Sequence, residues 1–183
     1  MLNDVQKRAL VALARQSVVA IVARAAASVP QPVDDLPAPF GVFVTIRRGG
    51  QLRGCLGTLE CRHGLAAEVI RCAADAATED PRFPPVSGDE LSELVIDVSV
   101  LGPLEEIAPA DPAAVVVGRH GLVVERGAQR GLLLPQVATE WGWTAAEFLS
   151  QTCRKASLPL DAWQNGARVY RFEAEVFGED SPS

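Results

Sequence analysis

A chain of 183 residues that is 48% hydrophobic can bury one sizeable core, as a single domain or as a domain that carries a smaller lobe. Its formal charge of -6 argues against nonspecific nucleic-acid binding, and its charge-free stretches, such as Gln16 to Ala23, fall far short of the roughly 18–20 apolar residues that cross a bilayer. The first apolar segment is broken by Lys7, Arg8, Arg15 and Arg24, which is no secretory signal, and four cysteines without a Cys-x-x-Cys spacing read as reduced thiols of a cytoplasmic protein.

From Asn3 to about Ala27, Val5, Leu10, Leu13, Val18, Ile21 and Val22 recur at helical spacing in an alanine-rich segment without Gly or Pro, which predicts a long amphipathic helix. Pro30, Pro32, Pro37 and Pro39 then predict an extended connection over Val29 to Pro39. Phe40 to Arg48 alternates as a strand, with Val42, Val44 and Ile46 on one face. Gly49-Gly50 supplies a tight hairpin, and the return strand Gln51 to Leu56 places Arg53, Cys55 and Gly57 on one face and Leu52, Gly54 and Leu56 on the other.

A second helix follows Gly64 and runs to about Thr78, stopped by Asp80-Pro81-Arg82-Phe83-Pro84-Pro85, whose prolines predict a stiff, exposed segment. Ser87 to Glu90 fits a capping box and predicts a short helix. Leu94 to Leu101 is a β-branched strand. Asp111-Pro112 predicts a helix start, Val115 to Val117 a strand, and Gly118 to Gly121 a tight turn. Leu122 to Glu125 and Gly131 to Leu134 pair around Gly127-Ala128, with Pro135 ending the second strand. Thr144 to Glu147 is another capping box, opening a helix that buries Phe148, Leu149, Thr152, Cys153 and Ala156. In the last strand, Arg168 to Phe177, Tyr170, Phe172, Ala174 and Val176 share a face. Without regular βαβ alternation, this order predicts an α+β fold with a mostly antiparallel sheet. Pro103 to Pro112 is the expected connection to a smaller lobe.

The segment with the most chemistry is Gln51 to Glu60. A thiol is a nucleophile as the thiolate, which nearby positive charge favours, and Arg53 lies two residues from Cys55 on the same predicted face. The plain alternative is that Cys55 is a small buried apolar residue. His120, between two glycines, is a candidate base or hydrogen-bond donor, or equally an exposed histidine without a role. Asp80 and Arg82 flank a proline and pair either with each other or with a ligand. His63 reads as a capping or surface residue, and Trp141 and Trp143 as anchors for the last helix. Two histidines are too few for a histidine-rich metal site.

Four motifs, Leu52-Arg53-Gly54-Cys55-Leu56-Gly57-Thr58, Asp80-Pro81-Arg82-Phe83-Pro84-Pro85-Val86, Gly118-Arg119-His120-Gly121-Leu122 and Gly131-Leu132-Leu133-Leu134-Pro135-Gln136-Val137-Ala138, together with Trp143 and Cys153-Arg154-Lys155-Ala156, resemble the AMMECR family, whose prokaryotic members are called AmmeMemoRadiSam system protein A. Leu56 and Leu59 stand where the family more often has isoleucine and phenylalanine, a difference of packing.

The resemblance implies a single α+β domain over 1–183 with two lobes and a cleft between them. It carries no established reaction. It also implies partners, a Memo-like protein of the extradiol-dioxygenase type and a radical SAM protein, in a shared, redox-related modification pathway. Any metal or iron–sulfur cluster would belong to those partners, so no cofactor is expected in this chain. Three functions follow. The first is a binding protein for a small molecule or peptide, with a cleft lined by Arg53, Gly54, Cys55, Gly57, Asp80, Arg82, His120 and Gln136. The second is an enzyme with Cys55 as nucleophile, His120 as base and Arg53 as anion holder. The third is a structural adaptor whose motifs only shape the fold.

Overall fold

The computed structural model describes residues 2–25, 36, 38–59 and 61–179, and most of the expected connection from Val29 to Pro39 lies outside them. The fold is α+β, and every strand pairing described is antiparallel. The chain divides into two compact units, Met1–Leu101 with Glu175–Ser183, and Gly102–Ala174.

In the first unit, helix α1 (Asp4–Val22) begins at Asn3, whose side chain accepts from the Gln6 amide while the Gln6 side chain accepts from the Asn3 amide. It ends five residues before the expected Ala27. Arg24 adopts φ 52°, the Arg24 amide donates to Ile21 and the Ala25 amide to Ala20, the pattern that usually places glycine after the helix end. Arginine there hides the stop from a reading of sequence.

Strand β1 (Gly41–Arg48) pairs with β2 (Gln51–Thr58) on one side and β3 (Leu94–Leu101) on the other. Gly49 and Gly50 turn the hairpin with φ of 57° and 76°. Register sets Val42, Val44 and Ile46 opposite Val100, Val98 and Ile96, all six buried. Each contributes about 1.5–3 kcal/mol of transfer free energy, as an upper estimate. Helix α2 (Leu65–Thr78) packs on β1, β2 and α1 through Leu65, Val69, Cys72, Ala73 and Ala76. The capping box at Ser87 opens a 3-10 helix, Gly88–Glu93.

The second unit contains β4 (Glu105–Glu106), a 3-10 turn at Pro112–Ala114 capped by Asp111, β5 (His120–Arg126), β6 (Gln129–Leu133), α3 (Pro135–Glu140), α4 (Ala145–Lys155) and the first part of β7 (Arg168–Gly178). Its core joins Leu122, Val124 and Val169 to Phe148, Leu149, Cys153 and Ala156, the stripe expected for α4. Trp143 packs half-buried on Phe148, and the exposed Trp141 stacks on Trp143 at 6.0 Å.

Two expectations are corrected here and a third is extended. Val115 to Val117 is a turn approach and not a strand, because the Val116 carbonyl accepts from the amides of Arg119 and His120. Strand β6 does stop before Pro135, as expected, and what the expectation lacked is the helix that Pro135 starts, where its missing N–H costs nothing. In β7 burial does not keep one phase: Val169, Phe172 and Phe177 are buried and Val176 is exposed. Val169 faces the second core, whereas Phe172 lies over Gly121 on the opposite face, where a Cβ would strike its ring.

Candidate functional site

The sheet order β2-β1-β3 leaves β2 at an edge. Its register steps from Ile46 opposite Gly54 to Arg47 opposite Leu52, so Arg53 is an extra residue, a β-bulge. The alternation expected for Cys55 and Gly57 therefore does not extend to Arg53. Cys55 sits opposite Thr45, on the sheet face away from α2, and the Thr45 hydroxyl donates to its sulfur at 3.2 Å. The two glycines beside it do not open space. A Cβ on Gly54 would collide with the Ala76 carbonyl of α2, and one on Gly57 with the Phe43 ring and the Val42 carbonyl.

An edge strand presents unpaired amides and carbonyls. Here Asp80 and Arg82 take both polar groups of Cys55. The Cys55 amide donates to Asp80 Oδ2 at 2.9 Å, and Arg82 Nη2 donates to the Cys55 carbonyl at 3.3 Å. The same pair closes on itself, with Arg82 Nη2 donating to Asp80 Oδ2 at 2.7 Å and the Arg82 amide to Asp80 Oδ1 at 3.1 Å. Asp80 is 4% exposed, although its proline-rich segment reads as an exposed one. The Arg82 guanidinium holds the Asp80 carboxyl well below the usual carboxylate range, more than burial raises it.

Arg53 is committed elsewhere. Its Nε and Nη2 donate to the two oxygens of Glu90 at 2.8 and 2.9 Å, and Nη1 donates to the Pro84 carbonyl at 2.9 Å. Glu90 is held at about 2, first by Arg53 and then by the Ser87 amide. The guanidinium that reaches Cys55 is that of Arg82, through the backbone carbonyl. Glu90 and Thr45 are the contributors missed in the sequence. Glu90 signals only its capping role, and its Arg53 partner lies 37 residues away; Thr45 signals only its place in an alternating strand.

His120 and Gln136 belong to the second unit. His120 opens strand β5 and does not sit in the tight turn expected for Gly118 to Gly121, which narrows to 117–119. It is 6% exposed, and its Nδ1 accepts from the Val116 amide at 3.0 Å. Burial first, then Arg171, lowers its pKa. Gln136 is exposed on α3. The other thiols are packing groups: burial pushes Cys72 up to about 11 and raises Cys61 and Cys153. Among the described residues no three His, Cys, Asp or Glu side chains gather as a metal site, and no helix is long and apolar enough to cross a membrane.

Residues 11–177 match the family model described as AMMECR1. A protein of Methanothermobacter thermautotrophicus is 54% identical over 156 residues, 80% of this chain and 81% of that one. A protein of Methanosarcina barkeri is 44% identical, covering 100% of this chain and 94% of its own length. The crystal structure of the uncharacterized protein PH0010 from Pyrococcus horikoshii is similar with a TM-score of 0.82 and 42% identity, over 99% of this chain and 95% of that one.

Proposed function

Because this chain belongs to the AMMECR1 family, we propose that it is a binding protein, holding a small molecule or peptide while Memo-like and radical SAM partners carry the chemistry of a shared, redox-related modification pathway. The partner assignment comes from the family resemblance of the sequence motifs. The binding role is supported by the treatment of Arg53: its guanidinium is paired in bidentate fashion with Glu90 and anchored to the Pro84 carbonyl. An arginine held this way is a brace for the Cys55 segment and is not available as the anion holder a nucleophilic mechanism assigns to it. Asp80 and Arg82 fix the Cys55 backbone from the strand edge. The result is a pre-organised surface in the first unit, running past the exposed Gly57 and bordered by Arg82, and pre-organisation is what lowers the cost of binding. His120 and Gln136, in the other unit, are not needed for this reading.

A second reading, a cysteine-dependent enzyme, is favoured by the hydroxyl that Thr45 donates to the Cys55 sulfur. The two separate in a reconstitution with Memo-like and radical SAM partners, with association followed by calorimetry and turnover by mass spectrometry. Cys55→Ser keeps association and turnover if the surface binds, and Arg82→Ala weakens association. Turnover abolished in Cys55→Ser with association intact replaces the binding reading by the nucleophilic one.

A further inference from the structure

His120 is a buried titratable group that the proposed function leaves unused. Its Nδ1 accepts from the Val116 amide. A ring nitrogen that accepts carries no proton, so the neutral imidazole holds its hydrogen on Nε2. The Val116 carbonyl closes the same turn, accepting from the amides of Arg119 and His120 at 3.1 and 2.9 Å. Only the Val116 amide depends on the ring, and the Val116 side chain is exposed, so packing adds little to hold the turn. Glu173 stands directly opposite His120 in the register of β5 and β7, and cross-strand partners share a face with Cβ atoms about 5 Å apart. Arg119 Nε and Nη2 both donate to Glu173 Oε1, at 2.9 and 2.6 Å, and among the described residues nothing donates to Oε2. The other charged groups that face the ring are Arg171 of β7 and Glu105 of β4, which pair with each other at 2.9 Å.

We propose that His120 is a proton-operated latch on the 116–119 turn: a proton taken up at Nδ1 releases the Val116 amide and passes the imidazolium to the free oxygen of Glu173. The added proton turns the acceptor into a second donor. Two donors then face each other at the Val116 amide, whereas Glu173 offers a carboxylate oxygen and a countercharge, which a buried cation requires. Each protonation state therefore has its own partners on the page, the condition for a switch rather than for simple loosening. The inference does not depend on how Cys55 acts.

The test is an NMR titration of the full chain from about pH 8 to about pH 5, the range in which histidine changes charge. Long-range proton–nitrogen correlations read the ring, and hydrogen exchange reads the amides. The neutral ring is expected to carry its proton on Nε2. As it titrates, protection of the Val116 amide should fall roughly tenfold beyond the intrinsic effect of pH on exchange, the scale of one hydrogen bond, while the Leu122 and Val124 amides stay protected. Glu173→Gln should move the midpoint of that release to lower pH, because a carboxylate favours the charged imidazole. His120→Gln should abolish the step; if that variant does not fold, the parent and Glu173→Gln decide. The latch is overturned by a neutral ring protonated on Nδ1, or by a ring that stays neutral until the chain unfolds. It is also overturned by Val116 protection that is unchanged or lost only together with that of Leu122 and Val124, or by an unmoved midpoint in Glu173→Gln.

Discussion

Glu90 and Asp80 are nearly buried carboxylates that exist as anions because a guanidinium lies against each. In an unfolded chain both groups titrate near 4. In the folded chain Glu90 titrates at about 2 and Asp80 is held well below its usual range. A depressed folded pKa gives stability that is complete above the unfolded value and is lost as pH falls toward the folded one. Both groups therefore withdraw stability below about pH 4.5. His120 acts earlier in an acid titration. Its pKa is lowered by burial and by Arg171 and Arg119, against Glu173 and Glu105, so the unfolded chain takes that proton first and stability declines from about pH 6.5 downward. Urea titrations across pH should thus show two stages of loss. Glu90→Gln should cost about 3 kcal/mol at pH 7, the scale for breaking a buried pair, and flatten the lower stage; His120→Gln should flatten the upper one. An unchanged lower slope in Glu90→Gln would remove the Arg53–Glu90 pair from the account. The sequence marks Arg53, Asp80 and Arg82 as notable residues, but their roles depend on which opposite charge each one meets. Asp80 and Arg82 flank Pro81, and their pairing is one of the two readings the sequence offers. The partner of Arg53 lies on another element, and a capping box already accounts for it.

Two glycines of the same hairpin are required for different reasons, and substitution separates them. Gly49 has φ 57° and open space around it, whereas the missing Cβ of Gly54 points at the Ala76 carbonyl of α2. Gly49→Ala should cost about 1–2 kcal/mol, the strain of a left-handed L-residue. Gly54→Ala forces backbone apart from backbone and should cost about 3 kcal/mol or more. Thermal melts give the ranking, and chemical-shift changes in Gly54→Ala should run along the end of α2 while those in Gly49→Ala stay in the turn; equal costs would mean that the helix yields. The end of α1 offers the opposite sign. Arg24 occupies φ 52°, so Arg24→Gly should stabilise the protein by about 1 kcal/mol, read as a raised urea midpoint. Elements whose signal is periodic, such as α2 from Leu65 to Thr78 and β3 from Leu94 to Leu101, are legible to the residue. Those that depend on a distant acceptor are not. Val115 to Val117 has strand composition, yet the Val115 amide is taken by the Pro112 carbonyl, the Val116 amide by the His120 ring and the Val116 carbonyl by the turn that follows.

Across the whole chain, the boundary between the units is the feature least visible in sequence. Prolines mark 103–112 as the connection and one division falls at its start, Leu101/Gly102, but the other falls inside β7, at Ala174/Glu175, where the strand runs on without any break in composition. The second unit is thus inserted into the first, and its two ends meet, since the Gly102 amide donates to the Glu173 carbonyl at 2.8 Å. The first unit has its own core, with α1 and α2 over Val42, Val44, Ile46, Ile96 and Val98. An insertion with adjacent ends and a self-contained host core can be replaced by a short linker at little entropic cost, because closing a short loop is cheap. A chain in which 102–174 is exchanged for a short Gly-Ser linker should therefore unfold cooperatively in urea, with a slope reduced in proportion to the surface it no longer buries. The isolated 102–174 segment, at roughly 70 residues, is at the size where one core supplies only about 3–5 kcal/mol, and it also loses the continuation of β7, so its own transition should be broad and its midpoint low. Amide dispersion and urea titration of the two pieces decide the matter: a linker-closed first unit without a cooperative transition would mean that its core depends on the inserted residues.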